Sequence, residues 1–170
     1  MLISDDYRAE QEKLHENPNY GVASVQYAPI VTQYINRLGV TDLLDYGAGK
    51  CRLFESIKPD HKMRLQAYDP GVPRLSGDPE PAEMVTCIDV LEHIEPDLLD
   101  NVLDNIRALA KSFVFLTIHT GPAVKVLSDG RNAHLIQEDA EWWLPKIMDR
   151  WSLQTFQRTQ GGFFVFGVAK

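Results

Sequence analysis

Hydrophobic and polar residues follow two different periods along the chain, and the changes between them mark the predicted elements. From Ser24 to Leu38 apolar side chains recur at spacings of three and four, which is typical of an amphipathic helix that ends at Gly39. Further helices are predicted at 7–16, 51–58, 97–110 and 138–150. Strands are predicted at 42–46, 64–68, 84–89, 113–118, 153–158 and 163–168.

This order of elements predicts an α/β fold with a mostly parallel sheet, because strands alternate with helices over most of the chain. Segment 113–118 is almost continuously apolar, as expected of a parallel strand covered on both faces. The last two strands are separated only by Thr159 to Gly162, which predicts a hairpin turn. The final strand is therefore expected to run antiparallel to its neighbour.

Length and net charge limit the classes of partner and substrate that the chain is expected to bind. With 170 residues the chain is expected to form one domain. Seventeen Lys and Arg against 24 Asp and Glu give a net charge of −7, which disfavours extended nucleic acid and acidic membranes as partners. Between Leu75 and Ile106 there are nine acidic residues and no Lys or Arg. We expect a small or locally docked substrate and most of these acids at the surface.

The cysteines and the N-terminus indicate a compartment. Cys51 and Cys87 lie in segments predicted to be buried, which suggests reducing surroundings. No apolar run approaches the roughly 18 residues of a membrane span, and residues 1–10 do not resemble a signal peptide. We therefore expect a cytoplasmic protein, without membrane contact, as a monomer or homodimer.

A glycine turn follows the first predicted strand and indicates a nucleoside site. Gly47-Ala48-Gly49 comes directly after residues 42–46, and Asp69 ends the next strand twenty positions later. Turn amides can approach a ligand, and an acid at this spacing can bind two ribose hydroxyls. A dinucleotide fingerprint would need glycine where Arg52 stands, so NAD is disfavoured. S-adenosylmethionine is favoured, because Asp45 and the amides after Gly47 can hold its amino-acid tail.

Motifs in this order resemble those of the class I S-adenosylmethionine-dependent methyltransferases. Residues 43–49 are similar to the family's first motif, residues 77–80 resemble its adenine-binding stretch, and residues 87–94 resemble the strand end with Leu-Glu-His. The resemblance spans roughly residues 24–170 and implies a Rossmann-like sheet with helices on both faces and a C-terminal antiparallel hairpin strand. It also implies a methyltransferase domain at 24–170. We expect residues 1–23 to form an N-terminal helix and lid segment, because the first helix has no other evident place to bury Leu14.

The chain departs from the family pattern at two places. Cys51 stands where a third glycine of the first motif is often found. Only 14 residues separate Asp69 from Met84. We therefore expect the second helix and the third strand of the family fold to be reduced.

The resemblance implies S-adenosylmethionine as the cofactor and a set of residues around it. The cofactor-binding residues expected are Asp45, Gly47, Ala48, Gly49, Asp69, Pro70, Asp78, Asp89, Val90 and, from the lid segment, Tyr20.

Methyl transfer from a sulfonium is an in-line displacement, so the chain mainly positions the acceptor and takes up its proton. The acceptor is expected to be an oxygen or nitrogen of a small molecule or nucleotide-like group. Candidates for the acid–base role are Glu92, His93, His119 and His134, which follow strand ends. Lys125, Arg131 and Trp142 are the candidate substrate-binding residues, through charge and stacking.

Two alternatives stay open beside this interpretation. The first is a non-catalytic domain that binds S-adenosylmethionine or another nucleoside. The second is a metal-assisted RNA 2′-O-methyltransferase, because Asp89-x-x-Glu92-His93 with His134 resembles the metal-binding set of the small-RNA enzymes, with Asp in place of the first Glu. We predict no metal, since Leu-Glu-His also occurs in metal-free small-molecule methyltransferases.

Overall fold

A computed structural model describes residues 1–17 and 23–170 of the chain. The helices are α1 (Asp5–His15), α2 (Ser24–Leu38), α3 (Arg52–Ser56), α4 (Leu99–Leu109) and α5 (Ala140–Met148). The strands are β1 (Asp42–Tyr46), β2 (Arg64–Tyr68), β3 (Ala82–Ile88), β4 (Ala110–His119), β5 (Trp151–Thr159) and β6 (Gly162–Ala169). Within the described ranges, no helix combines the length and the apolar character that a membrane crossing requires.

All six strands form one sheet in the order β2-β1-β3-β4-β6-β5. The first four strands are parallel, whereas β6 is antiparallel to both β4 and β5. The predicted Rossmann-like fold with its C-terminal hairpin is thus confirmed. Parallel pairing also brings the carboxyl ends of β1 to β4 to one edge of the sheet, which is where open α/β sheets bind ligands.

Helices cover both faces of the sheet. Successive strand residues point to opposite faces, so Leu43 packs in one apolar cluster with α2 and α3, and Leu44 packs in another with α4 and α5. The apolar stripe of α2 is buried through Ala28, Val31 and Ile35. Strand β1 is therefore packed on both faces, and the site residues at its end are joined to this core.

The segment between β2 and β3 is short, as predicted. In residues 69–81 the only regular structure is a 3₁₀ turn at Pro73–Leu75, so neither a second helix nor a further strand is formed there. This region of the described chain is the reduced part of the fold.

Helix α1 lies against the loop between β4 and α5. A small apolar cluster joins Ile3 and Tyr7 of the N-terminal segment to Leu127 and Ala133 of that loop. The side chain of Ser4 caps α1 by accepting from the Tyr7 amide. This packing places α1 over the carboxyl edge of the sheet.

Candidate functional site

A cavity of about 500 Å³ opens at the carboxyl ends of β1 to β4. Its walls come from α1, the turns after β1 and β2, the segment after β3 and the loop after β4. Cavities of this size are typical of small-molecule and cofactor sites.

The glycine turn after β1 forms the floor of the cavity. Gly47 has a φ of +80°, and a Cβ atom at this position would collide with the side chain of Val90. Gly49, with a φ of +50°, donates its amide to Asp69 Oδ2 at 2.8 Å. The turn therefore needs glycine both for its left-handed backbone and for its close approach to Val90.

Asp69 is held at the end of β2 by backbone amides. Its Oδ1 accepts the Gly71 amide at 2.9 Å, and its Oδ2 accepts the Gly49 amide, while the residue is only 7% exposed. His15 of α1 reaches the same carboxylate, with Nε2 3.8 Å from Oδ2. Each carboxylate oxygen can accept a second hydrogen bond, so Asp69 can bind two adjacent hydroxyls.

Asp45 is a buried carboxylate in the cavity wall. It is 3% exposed, and its Oδ1 accepts a hydrogen bond from the Thr86 hydroxyl at 2.9 Å. Burial raises the pKa of Asp45 to about 7, against the weaker lowering effect of Thr86. A cationic ligand group in the cavity would favour the ionised form of Asp45.

Asp89 leaves the end of β3 in a strained conformation. Its φ is +51°, which is rare for a residue other than glycine. Thr117 holds it there, since the Asp89 amide donates to Thr117 Oγ1 at 2.9 Å and the Thr117 hydroxyl donates to Asp89 Oδ1. Both Asp89 and Val90 line the cavity. Strain held in this way is common at binding sites.

Three of the four histidines that line the cavity lie close together. The ring of His134 lies 4.7 Å from that of His93 and 5.0 Å from that of His119, centroid to centroid. His93 Nδ1 lies 2.8 Å from the Ala133 carbonyl and His134 Nδ1 lies 2.7 Å from the Gly121 carbonyl. A carbonyl only accepts, so both Nδ1 atoms carry the proton and the lone pair is on Nε2.

Burial keeps two of these rings neutral near pH 7. It lowers the pKa of His93 to about 4 and also lowers the pKa of His134. Both rings are therefore uncharged near pH 7, and burial makes His93 the weaker base because its pKa is about 4.

Glu92 lies beneath the histidines and is fully buried. Its Oε1 accepts the His119 amide at 3.0 Å, whereas Oε2 has no hydrogen-bond partner in the described chain. Burial raises the pKa of Glu92 well above its ordinary value. Ligand atoms of Glu92, His93 and His134 all lie within 4.8 Å of one another, a spacing that can hold a metal ion.

The structure brings most of the predicted site residues to this cavity. The cavity-lining residues among them are Asp45, Gly47, Ala48, Gly49, Asp69, Pro70, Asp89, Val90, His93, His119, Lys125 and His134. Their roles stay predictions.

Other predicted residues lie elsewhere. Asp78 is exposed on the turn that replaces the reduced part of the fold, away from the cavity wall. Arg131 is exposed and pairs with Asp129, its Nε donating at 2.7 Å. Trp142 packs against the core, with Lys146 Nζ 4.6 Å from its ring. The geometry therefore does not support these three as ligand contacts, and Tyr20 lies outside the described residues.

Sequence reasoning missed how much of the cavity α1 supplies. Tyr7, Gln11 and His15 line it, together with Leu2 and Ile3 ahead of the helix. The signal was present, because residues spaced by four share one face of a helix. The sequence pattern of α1 does not indicate which surface of the protein this helix face covers.

No family model and no curated protein matches the sequence. Solved structures do match. The chain is 16% identical to 1,6-didemethyltoxoflavin-N1-methyltransferase of Burkholderia thailandensis, solved with 1,6-didemethyltoxoflavin and S-adenosylhomocysteine, with a TM-score of 0.64 over 100% of this chain and 92% of that one. It is 12% identical to magnesium protoporphyrin IX methyltransferase of Synechocystis PCC 6803, solved with S-adenosylhomocysteine, with a TM-score of 0.62 over 98% and 95%.

The small RNA methyltransferase HEN1 also matches. It is 12% identical, with a TM-score of 0.63, over 86% of this chain and 25% of that one. At these identities the three likenesses show a shared fold.

Proposed function

We propose that this chain, which has the fold of the class I S-adenosylmethionine-dependent methyltransferases, binds S-adenosylmethionine and methylates an oxygen or nitrogen of a small molecule. One observation carries the proposal: a single cavity brings Asp45, the Gly47 turn and Asp69 together with the grouped imidazoles of His93, His119 and His134. The two carboxylates and the glycine turn suit a nucleoside with an amino-acid tail. The imidazoles suit an acceptor that loses a proton.

The order of the strands supports an assignment of each part of the cofactor to one strand end. Asp69, Asp45, Asp89 and His119 belong to the ends of β2, β1, β3 and β4, which are neighbours in that order. Strands are about 4.8 Å apart, so this row spans roughly 14 Å. We assign the ribose hydroxyls to Asp69 and the α-ammonium to Asp45, while the carboxylate of the tail meets the amides after Gly47.

The sulfonium would then lie at the third position of the row. Asp89 faces the cavity there, and its carboxylate is favourable beside a positive sulfur. Bound S-adenosylmethionine supplies an electrophilic methyl group: the sulfur–carbon bond breaks, the acceptor–carbon bond forms, and the electron pair stays on sulfur. The chain contributes by fixing the acceptor in line and by receiving its proton on a neutral imidazole of the histidine group.

The cavity favours a small acceptor. Helix α1 covers the site, and the loop after β4 is tied to it, since Glu10 accepts from the Ser128 amide at 2.9 Å and from its hydroxyl at 2.6 Å. Lys125 is the one Lys or Arg among the described lining residues, and it can meet an anionic group of the acceptor.

Calorimetric titration with S-adenosylmethionine, S-adenosylhomocysteine and NAD tests the cofactor assignment. We expect binding of the first two, and Asp69→Asn should weaken it at least about tenfold through loss of charge-assisted hydrogen bonds. Asp60→Asn, at an exposed acid, is the matched control. Release of S-adenosylhomocysteine in the presence of a small-molecule cell extract tests catalysis. NAD binding without S-adenosylmethionine binding would overturn the proposal, and cofactor binding without turnover would indicate a non-catalytic binding domain.

A further inference from the structure

Lys125 is a cation in the cavity wall that has no counter-ion in the described chain. It lies on the loop after β4 and is half-buried, and among the described residues its ammonium makes no hydrogen bond or ion pair. Two other basic side chains beside this loop are paired: Arg131 Nη2 lies 2.6 Å from Asp129 Oδ2, and Lys13 Nζ lies 2.7 Å from Glu10 Oε1. In a chain of net charge −7, an unpaired cation at the cavity wall favours an anionic ligand.

The backbone of the loop places Lys125 close to the histidine group. The Lys125 carbonyl accepts the Ala133 amide at 3.0 Å. The side chain of Asn132 joins the two sides of the loop, since its Oδ1 accepts the amides of Ala123 and His134, each at 2.9 Å. Lys125 therefore lies across the loop from Ala133, and His134, which follows Ala133, lines the same cavity.

Apolar residues precede Lys125 along the cavity wall. Pro122, Ala123 and Val124 all line the cavity, and the side chain of Val124 is fully exposed. Ile94, in the segment after β3, adds further apolar wall. An apolar ligand that covered Val124 would remove this surface from water, which is favourable. The wall beside the cation therefore suits a ligand with an apolar body.

We propose that the acceptor of the methyl group is a small carboxylic acid with an apolar body, an inference that rests on the proposed function. Its carboxylate pairs with Lys125, its apolar body lies against Val124, and its hydroxyl or amine meets the imidazoles of His119 and His134. The hydroxyl or amine forms the bond to the methyl carbon and gives up its proton, while the carboxylate is unchanged. A carboxylate is favoured over a phosphate, because phosphate sites ordinarily combine several donors, such as Arg side chains and helix amides.

Calorimetric titration of the protein saturated with S-adenosylhomocysteine tests this class of acceptor. The probes are two matched pairs, para-hydroxybenzoate with para-hydroxybenzyl alcohol and para-hydroxycinnamate with para-hydroxycinnamyl alcohol. We expect the acid of at least one pair to bind at least about tenfold more tightly than its alcohol, because a charge-assisted hydrogen bond forms. Lys125→Gln should remove this difference, whereas Lys62→Gln, which removes the same charge at an exposed position outside the cavity wall, should keep it.

A second substitution tests the apolar contact. Val124→Ser should weaken the binding of an acid and its alcohol alike, several-fold, because less apolar surface is buried. Val126→Ser, at an exposed position of the same loop that does not line the cavity, is the matched control. Circular dichroism confirms the fold of each variant.

Several outcomes would contradict the inference. Equal binding of acids and alcohols, no binding of either acid, or an unchanged preference in the Lys125 variant would each exclude the carboxylate site. Tighter binding of para-hydroxyphenyl phosphate than of both acids, lost in the Lys125 variant, would indicate a phosphate ester instead. S-adenosylhomocysteine binding is measured first: its absence would refute the proposed function, whereas its presence without a preference for acids would refute the acceptor class alone.

Discussion

At the scale of single residues, Asp45 shows how burial prepares a side chain for one ligand. It lies at the end of β1 with 3% exposure, and burial raises its pKa to about 7. In the unfolded chain the same group has an ordinary pKa near 3.8. The folded state therefore binds a proton more tightly than the unfolded state, and stability falls as pH rises from about 4 through 7.

Replacing Asp45 with Asn should stabilise the chain above neutral pH. The amide keeps the contact with Thr86 and cannot ionise. The gain in stability over the unaltered chain should therefore be small at pH 4 and reach its full value at pH 8. At about 2–4 °C per kcal/mol for a chain of this size, we expect Tm to rise by several degrees at pH 8. Melting curves from pH 4 to 8 measure this, and a Tm difference independent of pH would contradict it.

The same residue predicts a pH dependence of cofactor binding. The α-ammonium of S-adenosylmethionine should bind only ionised Asp45, so the affinity of the unaltered chain should rise between pH 6 and 8. The Asn variant should bind at least about tenfold more weakly at pH 8, because a charged hydrogen bond is lost. Calorimetry in both proteins checks the prediction; a flat pH profile for the unaltered chain would remove Asp45 from the ammonium site.

Cys51 stores backbone strain at the start of α3. Its φ is +58°, in the left-handed region that costs a residue with a Cβ atom roughly 1 kcal/mol. Cys51→Gly should therefore raise Tm by about 2–4 °C. Glu55→Gly, within the same helix, should lower it, since glycine there costs about 1 kcal/mol. Equal effects of the two substitutions would show that Cys51 is not strained.

Most of the residues predicted correctly to share a cavity are fixed by strand ends, whereas Lys125 and His134 lie on the loop after β4. Asp45, Asp69 and His93 follow strands that the apolar pattern identifies, and parallel pairing brings such ends to one edge. Asp78 could not be placed in this way, because no strand precedes it in the shortened segment. The contacts of Arg131 and Trp142 depend on the path of a long loop, which local sequence does not determine.

At the scale of elements, α1 is the part of the site that could move. Ser4 holds its first turn by three hydrogen bonds: it accepts from the Tyr7 amide, and its own amide and hydroxyl donate to Glu95 at 2.9 and 2.7 Å. Glu10 joins the helix to Ser128 on the loop after β4. At the other end of the helix, Lys50 Nζ donates to the His15 carbonyl at 3.3 Å. We expect a cofactor to enter by displacement of α1, because these contacts can break without disturbing the sheet.

Ser4→Ala should loosen this cover without disturbing the sheet. Loss of the cap and of the Glu95 contacts costs about 1–2 kcal/mol, so amide exchange in residues 5–15 should accelerate about tenfold while exchange in β1 to β4 is unchanged. Dissociation of S-adenosylmethionine should become several-fold faster. Ser152→Ala, at an exposed position of β5, is the control. Uniform acceleration across the chain would show global destabilisation instead.

Element boundaries were predictable where a specific side chain sets them. The α5 helix begins after Asp139, whose carboxylate accepts the Trp142 amide, close to the predicted start at 138. The helix predicted from Asp97 begins at Leu99, because residues 96–98 form a 3₁₀ turn first. Both differences lie within the first turn of a helix, where 3₁₀ hydrogen bonds often replace α-helical ones.

At the scale of the whole molecule, the negative charge is distributed over specific contacts. Asp100 and Asp104 of α4 both accept hydrogen bonds from Arg150, and Glu83 accepts the Thr41 amide. Asp45, Asp69 and Asp89 face the cavity. The acidic stretch thus contributes Asp100 and Asp104 to a helix surface and Asp89 to the cavity, and it offers little to a polyanion.

The charge distribution leads to a prediction that distinguishes an RNA acceptor from a small-molecule acceptor. Non-specific binding to RNA needs several Lys or Arg on phosphates, and a chain of net charge −7 with Lys125 alone at the described cavity should not supply them. We expect no anisotropy change of a labelled 20-nucleotide RNA with 10 μM protein at 150 mM salt. A mononucleoside could still enter the cavity as an acceptor, so turnover is measured with nucleosides and RNA in parallel. Micromolar RNA binding with a steep salt dependence would favour an RNA acceptor over a small molecule.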